Sequence, residues 1–376
     1  MNNSKKKARV IAMYLPQFHP VVENDEWWGK GFTEWTNVGK AKSLFKGHYQ
    51  PRVPADLGYY DLRLPEVRVS QAEMAAEAGV EGFMYWHYWF GEGKRLLERP
   101  FNEVLESGSP NFPFCLGWAN ESWENKLWNA NDTKQNKLLI EQKYLGEKDN
   151  ELHFNSLLSS FKDKRYIRVD GRPIFFIYKP QKFKEVNLFI SQWNNLAKIN
   201  GINEGFYFVA HADSFEEYEN LIRLGFDAIE VYSLKRIQDY YKQTNSLIYK
   251  IIDKVDSLVK ASLQLKKLRI VEYKKAIELF INKKEDSIEN VIPTILPNWD
   301  HSPRSGNNAW IVNNSTPELF QKHIKDALEC VKNKPEERKI IFLKSWNEWA
   351  EGNYMEPDLK FGKGYIHALR DVIFNK

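Results

Sequence analysis

Two glutamates near the end of the chain, Glu348 and Glu351, have the residue type and the spacing that acid/base chemistry requires. They follow the apolar run 339–343, which is typical of a buried strand in a parallel sheet. If a helical turn begins after that strand, this spacing places both carboxylates on one side. Like-charge repulsion and burial beside indoles would raise the pKa of one of them, leaving an acid beside a base. We predict that they are the catalytic pair; the alternative is a surface pair in a loop.

Aromatic residues surround this pair in the sequence. Trp346 and Trp349 flank Glu348, and 14% of all residues are aromatic, including 13 tryptophans. Indole faces are good platforms for the apolar face of a sugar ring. Carboxylates walled by indoles therefore favour acid/base chemistry on a carbohydrate.

Short apolar runs alternate with amphipathic helical stretches, which predicts βα units around a parallel sheet. Eight candidate strands can be counted: Val10–Leu15, Gly82–Tyr85, Pro113–Gly117, Ile174–Tyr178, Tyr207–Ala210, Ala228–Tyr232, Val291–Leu296 and Ile340–Leu343. The helical patterns between them include Pro65–Glu77, Glu151–Lys162, Val186–Asn200, Phe215–Leu224 and Pro317–Val331. Eight such units closing on themselves predict an α/β fold, the (β/α)8 TIM barrel, as a single domain over 1–376. An open doubly wound sheet is the alternative, but it would concentrate polar groups at one switch point.

Polar and aromatic residues gather after the predicted strands, where barrel active sites form. The candidate substrate-binding residues are Tyr14, Gln17, His19, Trp35, Trp86, His87, Tyr88, Trp118, Asn120, Glu121, His211, Trp299, Asp300, Arg304, Trp346, Asn347 and Trp349. Several have structural alternatives: Glu121 as a residue at a helix start, 86–90 as core packing, and Asp300 with Arg304 as an ion pair. His87, His211 and His301 could suggest a metal site, but no paired His spacing supports it, so we expect no metal.

Two segments exceed ordinary βα connections. Residues 18–64 form a long first loop rich in Trp, Gly, Pro and Tyr, which suggests a folded lid or cleft wall. Residues 235–284 are helical in pattern and carry thirteen Lys or Arg against five Asp or Glu. A solvated helical face explains this excess; the alternative is a patch for an anionic partner, such as a membrane surface or a pyrophosphate-linked glycan carrier.

Composition excludes several other classes. A net charge of +4 is small for 376 residues, so nucleic acid is not an expected partner. Cys115 and Cys330 are far apart in apolar stretches and are expected to be reduced and buried. No signal-peptide pattern or membrane span is recognisable, so we expect a cytoplasmic location. The sequence contains no phosphate-binding Gly-rich loop, no Gly-x-Ser-x-Gly and no Cys-x-x-Cys, so we expect no cofactor. It also contains no Asp-x-Asp and therefore no recognisable nucleotide-sugar motif.

A series of motifs resembles the WbsX family, a group of glycoside hydrolase family 99-like proteins common in bacterial polysaccharide and O-antigen gene clusters. The motifs span nearly the whole chain: 31–37 (GFTEWTN), 47–51 (GHYQP), 57–63 (LGYYDLR), 88–90 (YWF), 118–121 (WANE), 299–304 (WDHSPR) and 347–352 (NEWAEG). The resemblance implies a (β/α)8 barrel that acts on sugars with retention of anomeric configuration.

The resemblance also implies separate roles for the two glutamates. Glu348 would deprotonate a sugar 2-hydroxyl, leading to a 1,2-anhydro sugar intermediate, and Glu351 would protonate the leaving oxygen and then activate water. Ala350 stands where family 99 has a His, which puts the mannose specificity in question, and His301 stands where WbsX relatives usually have Asn.

Three functions stay open on the sequence. The first is a glycoside hydrolase or transglycosylase acting on a bacterial surface oligosaccharide or polysaccharide, including a lipid-linked one. The second is a glycosyltransferase of O-antigen or lipopolysaccharide biosynthesis, as the WbsX family is commonly labelled. The third is a non-catalytic glycan-binding barrel. The fold alone does not choose among these functions. The paired carboxylates and the lack of a nucleotide-sugar motif favour the hydrolase or transglycosylase.

Overall fold

The computed structural model describes residues 6–125, 137–231, 233–244 and 268–374. Within these ranges eight parallel strands form the predicted barrel: β1 (Arg9–Tyr14), β2 (Gly82–Trp89), β3 (Phe114–Trp118), β4 (Arg172–Ile177), β5 (Tyr207–Ala212), β6 (Ala228–Val231), β7 (Thr294–Ile295) and β8 (Ile340–Leu343). Pairing runs in chain order from β1 to β6, and β8 lies between β1 and β7. A parallel bridge between Ile229 and Val291 joins the two edges. The TIM-barrel prediction is confirmed.

The helices surround these strands or form part of the loops between them. Their bounds are α1 (Val22–Trp28), α2 (Glu34–Gly39), α3 (Pro65–Ala78), α4 (Arg99–Ser107), α5 (Glu147–Lys162), α6 (Val186–Ile199), α7 (Tyr218–Arg223), α8 (Leu234–Thr244), α9 (Tyr273–Phe280), α10 (Lys283–Asp286), α11 (Ser302–Ser305), α12 (Pro317–Val331) and α13 (Gly364–Ile373). Each predicted helix coincides with one of them, except that 215–217 is a 3₁₀ turn before α7.

Barrel strands are buried on both faces, which explains their near-continuous apolar sequences. In the barrel interior the rings of Phe176 and Phe342 meet at 5.6 Å between centroids. On the outside, Phe175 lies 4.7 Å from Trp193 of α6. Because successive side chains of a strand point to opposite faces, neighbouring residues such as Phe175 and Phe176 serve two different cores.

Short strands occur outside the barrel, and several of them build its mouth. They are Arg95–Leu96, Trp123–Asn125, Lys137–Ile140, Arg168–Val169, Arg269–Glu272, Trp299–Asp300, Trp310–Asn313, Asn347–Glu348 and Asn353–Tyr354. Trp310–Asn313 pairs with both Arg269–Glu272 and Trp299–Asp300, so it links two distant parts of the chain in one small sheet.

The two long connections are structured where they are described. The first loop contains α1 and α2, and its residues His48, Gln50 and Arg52 are buried. The connection predicted to be helical over 235–284 contains α8 and α9 but also the strand Arg269–Glu272. Its residues 245–267 lie outside the described residues. No helix in the described part of the chain is long and apolar enough to cross a membrane.

Candidate active site

The candidate catalytic pair lies on a tight turn that follows β8. Asn347–Glu348 pairs antiparallel with Asn353–Tyr354, and the 3₁₀ turn Trp349–Glu351 connects them. Asn347 fixes this turn to the barrel: its side-chain oxygen accepts from the Leu15 N–H at 2.8 Å, and its amide donates to the Leu15 carbonyl at 3.0 Å. Both glutamates are therefore held at the C-terminal end of the barrel.

Arg304 of α11 joins the two candidate catalytic carboxylates. Its Nη1 lies 2.5 Å from Glu351 Oε1 and 3.6 Å from Glu348 Oε1. On the other edge of the same guanidinium, Nε lies 3.3 Å and Nη2 3.1 Å from the carboxylate of Glu34. Because a guanidinium presents its N–H donors in a rigid plane, one arginine contacts three carboxylates.

Two further polar groups contact the pair. His301 Nε2 lies 3.5 Å from Glu351 Oε1, and its other ring nitrogen lies 2.6 Å from Ser305 Oγ. The Ser345 hydroxyl donates to Glu348 Oε2 at 3.0 Å. Each carboxylate therefore has its own neighbour in addition to the shared arginine.

The two carboxylates differ in proton affinity. Burial, and then the charge of Glu351, raise the pKa of Glu348 to about 7. Burial would also raise the pKa of Glu351, but the Arg304 charge and the His301 contact outweigh it and hold that pKa well below the ordinary value. In the free site these effects separate the two proton affinities, favouring the proton on Glu348 and the anion on Glu351.

A buried polar cluster holds α11 in place. Asp300 is fully buried, and its Oδ2 accepts from His48 Nε2 at 2.8 Å and from Gln50 Nε2 at 2.6 Å. Its Oδ1 accepts from the Ser302 N–H at 2.9 Å, at the start of α11. These contacts, with the nearby Arg52 guanidinium, lower the pKa of Asp300 to about 2 despite its burial. The first loop thereby fixes the helix that carries Arg304.

Arg52 ties the same loop to the catalytic turn. Its Nη1 donates to Asn298 Oδ1 at 2.7 Å and to the Gly352 carbonyl at 2.9 Å. The side chain is buried, so these contacts are made away from bulk solvent. Arg52 therefore positions both Asn298, which precedes α11, and the end of the turn that carries Glu351.

A second buried carboxylate, Glu356, lies behind the turn. Its oxygens accept from Trp349 Nε1 at 2.6 Å, Gln71 Nε2 at 2.6 Å and the Tyr60 hydroxyl at 2.9 Å. The Trp349 ring also stacks on Tyr354 at 3.8 Å. Trp349 is therefore fixed from two sides and supports the turn as a packed residue.

Several predicted binding residues do lie around the pair or in the barrel interior beneath it. Gln17 Nε2 donates to the Tyr88 hydroxyl at 3.4 Å, and the charges of Glu348 and Arg304 act on the Tyr88 phenol. Lys344 lies over the Trp299 ring at 5.6 Å. The remaining members of this group are Trp35, 5.5 Å from the Trp349 ring; Trp86, 5.6 Å from the Tyr178 ring; and His211, 5.0 Å from the Tyr178 ring.

Other predicted residues lie elsewhere in the structure. His87 is on the outer face of β2, where its Nε2 lies 2.8 Å from Nε2 of His153 on α5. Trp118 packs on the same helix, and its Nε1 donates to the Trp89 carbonyl at 3.0 Å.

The last group makes structural contacts or is buried. The Asn120 side chain hydrogen-bonds to both the N–H and the carbonyl of Lys179, and Glu121 pairs with Lys182 at 3.5 Å. The Tyr14 hydroxyl donates to Gln71 at 2.7 Å, and Trp346 and His19 are buried.

Three charged residues, at the site or in the barrel interior, are not among the predicted binding residues. Glu34 belongs to the 31–37 motif, in which Thr33 caps α2 and places Glu34 in its first turn. Lys344 directly follows β8, and its charge favours the ionised forms of Glu348, Glu351 and Glu230. Glu230 is buried in the barrel, contacts His211 and accepts from Thr294 Oγ1 at 2.8 Å. The sequence signal for Glu230 and Lys344 is a charged residue inside or beside an apolar run, and Glu34 belongs to a recognisable motif.

No group of three His, Cys, Asp or Glu side chains among the described residues is arranged to hold a metal ion.

A protein-family model described as "Glycosyltransferase WbsX" matches residues 10–369. The chain belongs to the WbsX family. Curated relatives include the uncharacterized protein WxcX of Xanthomonas campestris pv. campestris, 34% identical over 368 residues in strain ATCC 33913 and 33% identical over 370 residues in strain B100. Each match covers 97% of this chain and 50% of the relative. This WbsX-family chain therefore spans about half the length of the curated relatives it matches.

Solved structures with a similar fold include a glycoside hydrolase family 99 endo-α-mannosidase from Bacteroides thetaiotaomicron. It superposes with a TM-score of 0.58 and 15% identity, over 97% of this chain and 96% of the other. A structure described as a glycoside hydrolase-like protein gives a TM-score of 0.57 and 14% identity, over 99% and 96% of the two chains. At this identity the likeness shows that the WbsX-family chain shares the barrel fold.

Proposed function

We propose that this WbsX-family chain is a carbohydrate-active enzyme that cleaves a glycosidic bond, or transfers the released glycosyl group, in a bacterial surface polysaccharide. One observation carries the proposal: the side chains of Glu348 and Glu351, 13% and 17% exposed, lie together at the barrel mouth and share Arg304. Buried carboxylates with unequal proton affinities are the groups that glycoside chemistry uses. An oligosaccharide or polysaccharide, free or lipid-linked, is the proposed substrate.

In the proposed reaction, Glu348 removes the proton of the sugar 2-hydroxyl, and that oxygen attacks the anomeric carbon to form a 1,2-anhydro sugar. The bond to the leaving oxygen breaks, and Glu351 gives that oxygen a proton. Glu351 then takes a proton from water, which attacks the anomeric carbon, while Glu348 returns a proton to the 2-oxygen. Two inversions give net retention. An acceptor hydroxyl in place of water gives transglycosylation.

These roles place a requirement on both carboxylates, because the free site favours the proton on Glu348 and the anion on Glu351, the reverse of what the first step needs. The proton must be on Glu351 when the glycosidic bond breaks, whereas in the free site the contact with Arg304 at 2.5 Å favours the anion. Binding of the sugar must therefore weaken the Arg304–Glu351 contact. The Ser345 hydroxyl supports the other role, because it donates to Glu348 Oε2 and leaves Oε1, 3.6 Å from Arg304 Nη1, to accept from the sugar.

The experiment uses α-linked oligosaccharides, beginning with α-mannosides because of the family 99 fold neighbour. Products are followed by mass spectrometry, and anomeric configuration by proton NMR. We expect cleavage with retention, and no cleavage of the matching substrate in which the reacting 2-hydroxyl is methylated, since that oxygen has no proton to lose. Cleavage of the methylated substrate would remove the anhydro-sugar mechanism.

Glu351→Gln is the informative variant. Its amide has the same shape but no transferable proton, so we expect turnover to fall about 10²–10⁴-fold with folding and ligand binding retained. The exposed Glu329→Gln is the matched control. Near-normal turnover by Glu351→Gln would show that another group is the acid.

A glycosyltransferase is the second candidate because the matching family model carries that description. A transferase would be stabilised by a nucleotide sugar, since a ligand that binds only the folded state raises its stability. A thermal-shift screen against nucleotide sugars and free glycans separates the two candidates. A glycan-binding module would shift with glycans and release no product from any of them.

A further inference from the structure

The Arg304 guanidinium has two donor edges, and each edge contacts different carboxylates. Nη1 points to Glu351 and Glu348, at 2.5 and 3.6 Å. Nε and Nη2 point to Glu34, at 3.3 and 3.1 Å. The contact with Glu34 uses two donors of the guanidinium, which is the geometry of a paired arginine–carboxylate contact. Arg304 can therefore keep one partner while it loses the other.

Glu34 is placed for this contact by the first loop. It occupies the first turn of α2, which Thr33 caps through a reciprocal capping box. Helix α2 packs on both the catalytic turn and α11, which carry Glu351 and Arg304. The Glu34 side chain is only 5% exposed, so its carboxylate depends on a nearby cation rather than on water.

We propose that Glu34 is a positioning residue: it competes with Glu351 for the Arg304 guanidinium and so lets Glu351 take up the proton that a leaving oxygen needs. When a sugar approaches the pair, the contact between Nη1 and Glu351 opens while the two contacts to Glu34 persist. The proton on Glu351 comes from solvent. The assignment of Glu351 as the acid rests on the proposed function; the competition for Arg304 does not.

Other charged and titratable groups face these residues from the surrounding elements. The set consists of Glu348, His301 and Lys344 around Glu351, Tyr88 beside Glu348 and Arg304, and Lys40 near Glu34. Lys344 and His301 favour the Glu351 anion in the same direction as Arg304. Glu34 contacts Arg304 through two donors, so loss of the Glu34 charge acts on Glu351 through Arg304.

The test measures the titration of the pair directly and needs no substrate. Protein labelled with ¹³C at the glutamate carboxyl carbons is titrated by NMR, and the resonances of the pair are identified from Glu348→Gln and Glu351→Gln. The pair titrates in two macroscopic steps. We expect Glu34→Gln to lower the upper step by about one pH unit, since it removes a negative charge and leaves Arg304 wholly to the pair. Glu34→Asp keeps the charge and should restore at least half of that shift.

Arg304→Gln separates the proposal from simple repulsion between carboxylates. If Glu34 acts through Arg304, Glu34→Gln should change the titration much less when Arg304 is already Gln. An equal shift with and without Arg304, or no shift at all in Glu34→Gln alone, overturns the proposal.

Glu81→Gln is the matched control, because Glu81 pairs with Arg9, which also contacts Glu337, at the other end of the barrel. It should leave both titration steps in place, and a shift of the same size there would also overturn the proposal. Because glycosidase activity is not measured, failure of the proposed function leaves this result intact.

Discussion

The side chain of Asp300 packs directly against the backbone of Gly352. A Cβ atom on Gly352 would lie 2.7 Å from Asp300 Cβ, 2.9 Å from its backbone nitrogen and 3.0 Å from its carbonyl oxygen. Gly352 also has a positive φ of 55°, a conformation that side chains other than glycine rarely adopt. The last residue of the motif 347–352 is therefore a contact surface between the catalytic turn and the strand that leads into α11.

Gly352→Ala tests this contact. The added methyl meets backbone atoms that cannot move aside, so we expect the free energy of unfolding to fall by about 1–3 kcal/mol and turnover to fall with it. Urea denaturation measures the first effect. Gly362→Ala is the control, since Gly362 has a similar φ of 50° but nothing within 4 Å of the added atom. Equal losses in both variants would mean that the backbone angle, rather than the contact with Asp300, is responsible.

Asp300→Asn tests the cluster that holds α11. The amide would direct N–H groups toward the donors of His48 and Gln50, or else lose the Ser302 cap. It would also remove the charge that lies 3.8 Å from Arg52 Nη2. We expect a loss of about 2–5 kcal/mol in the free energy of unfolding, as for other broken buried ion pairs. Asp56→Asn, at an exposed position of the same loop, should leave the denaturation midpoint unchanged. A stable Asp300→Asn protein would show that α11 is held by other contacts.

The sequence was sufficient for the barrel and for the location of the pair. Apolar runs predicted all eight strands, because strands buried on both faces have continuous apolar sequences. That same continuity hides which side chains face the interior. His87 and Trp86 are neighbours in β2, yet His87 pairs with His153 outside the barrel and Trp86 packs beside Tyr178.

Long-range contacts were the part that the sequence did not reveal. Glu34 and Arg304 are 270 residues apart, and no local pattern specifies their contact. Trp35, the neighbour of Glu34, has the residue type of a sugar-stacking group, but its indole donates to the Tyr60 carbonyl at 2.7 Å and its ring lies 5.5 Å from the Trp349 ring. Burial and pairing of polar groups are set by tertiary structure, which short motifs do not encode.

Glu356→Gln tests the buried carboxyl behind Trp349. Burial raises the pKa of Glu356 to about 7, above its value in an unfolded chain. The folded protein therefore binds an extra proton between about pH 4.5 and pH 7, and stability falls as pH rises through that range. Since Gln does not titrate, the variant should show a shallower fall in melting temperature between pH 5 and pH 7. Glu329→Gln, at an exposed position, should keep the wild-type slope, and an unchanged slope in Glu356→Gln would contradict the prediction.

The basic connection 235–284 is proposed to contact an anionic membrane surface. Several of its described cations are already paired, such as Arg236 with Glu285 and Lys275 with Glu278 at 3.1 Å. Its excess of Lys and Arg over acidic residues nevertheless favours anionic lipid, with an attraction that weakens as salt screens it.

Vesicle sedimentation measures this contact. We expect binding to phosphatidylserine-containing vesicles at low salt and none to neutral vesicles. Lys274→Glu combined with Lys284→Glu should weaken that binding, whereas the same reversal of two charges at Lys42 and Lys46, in the first loop, should not. If the protein does not sediment with anionic vesicles at low salt, where charge attraction is strongest, the proposed membrane contact is wrong. The alternative, a solvated helical face, then explains the excess of Lys and Arg.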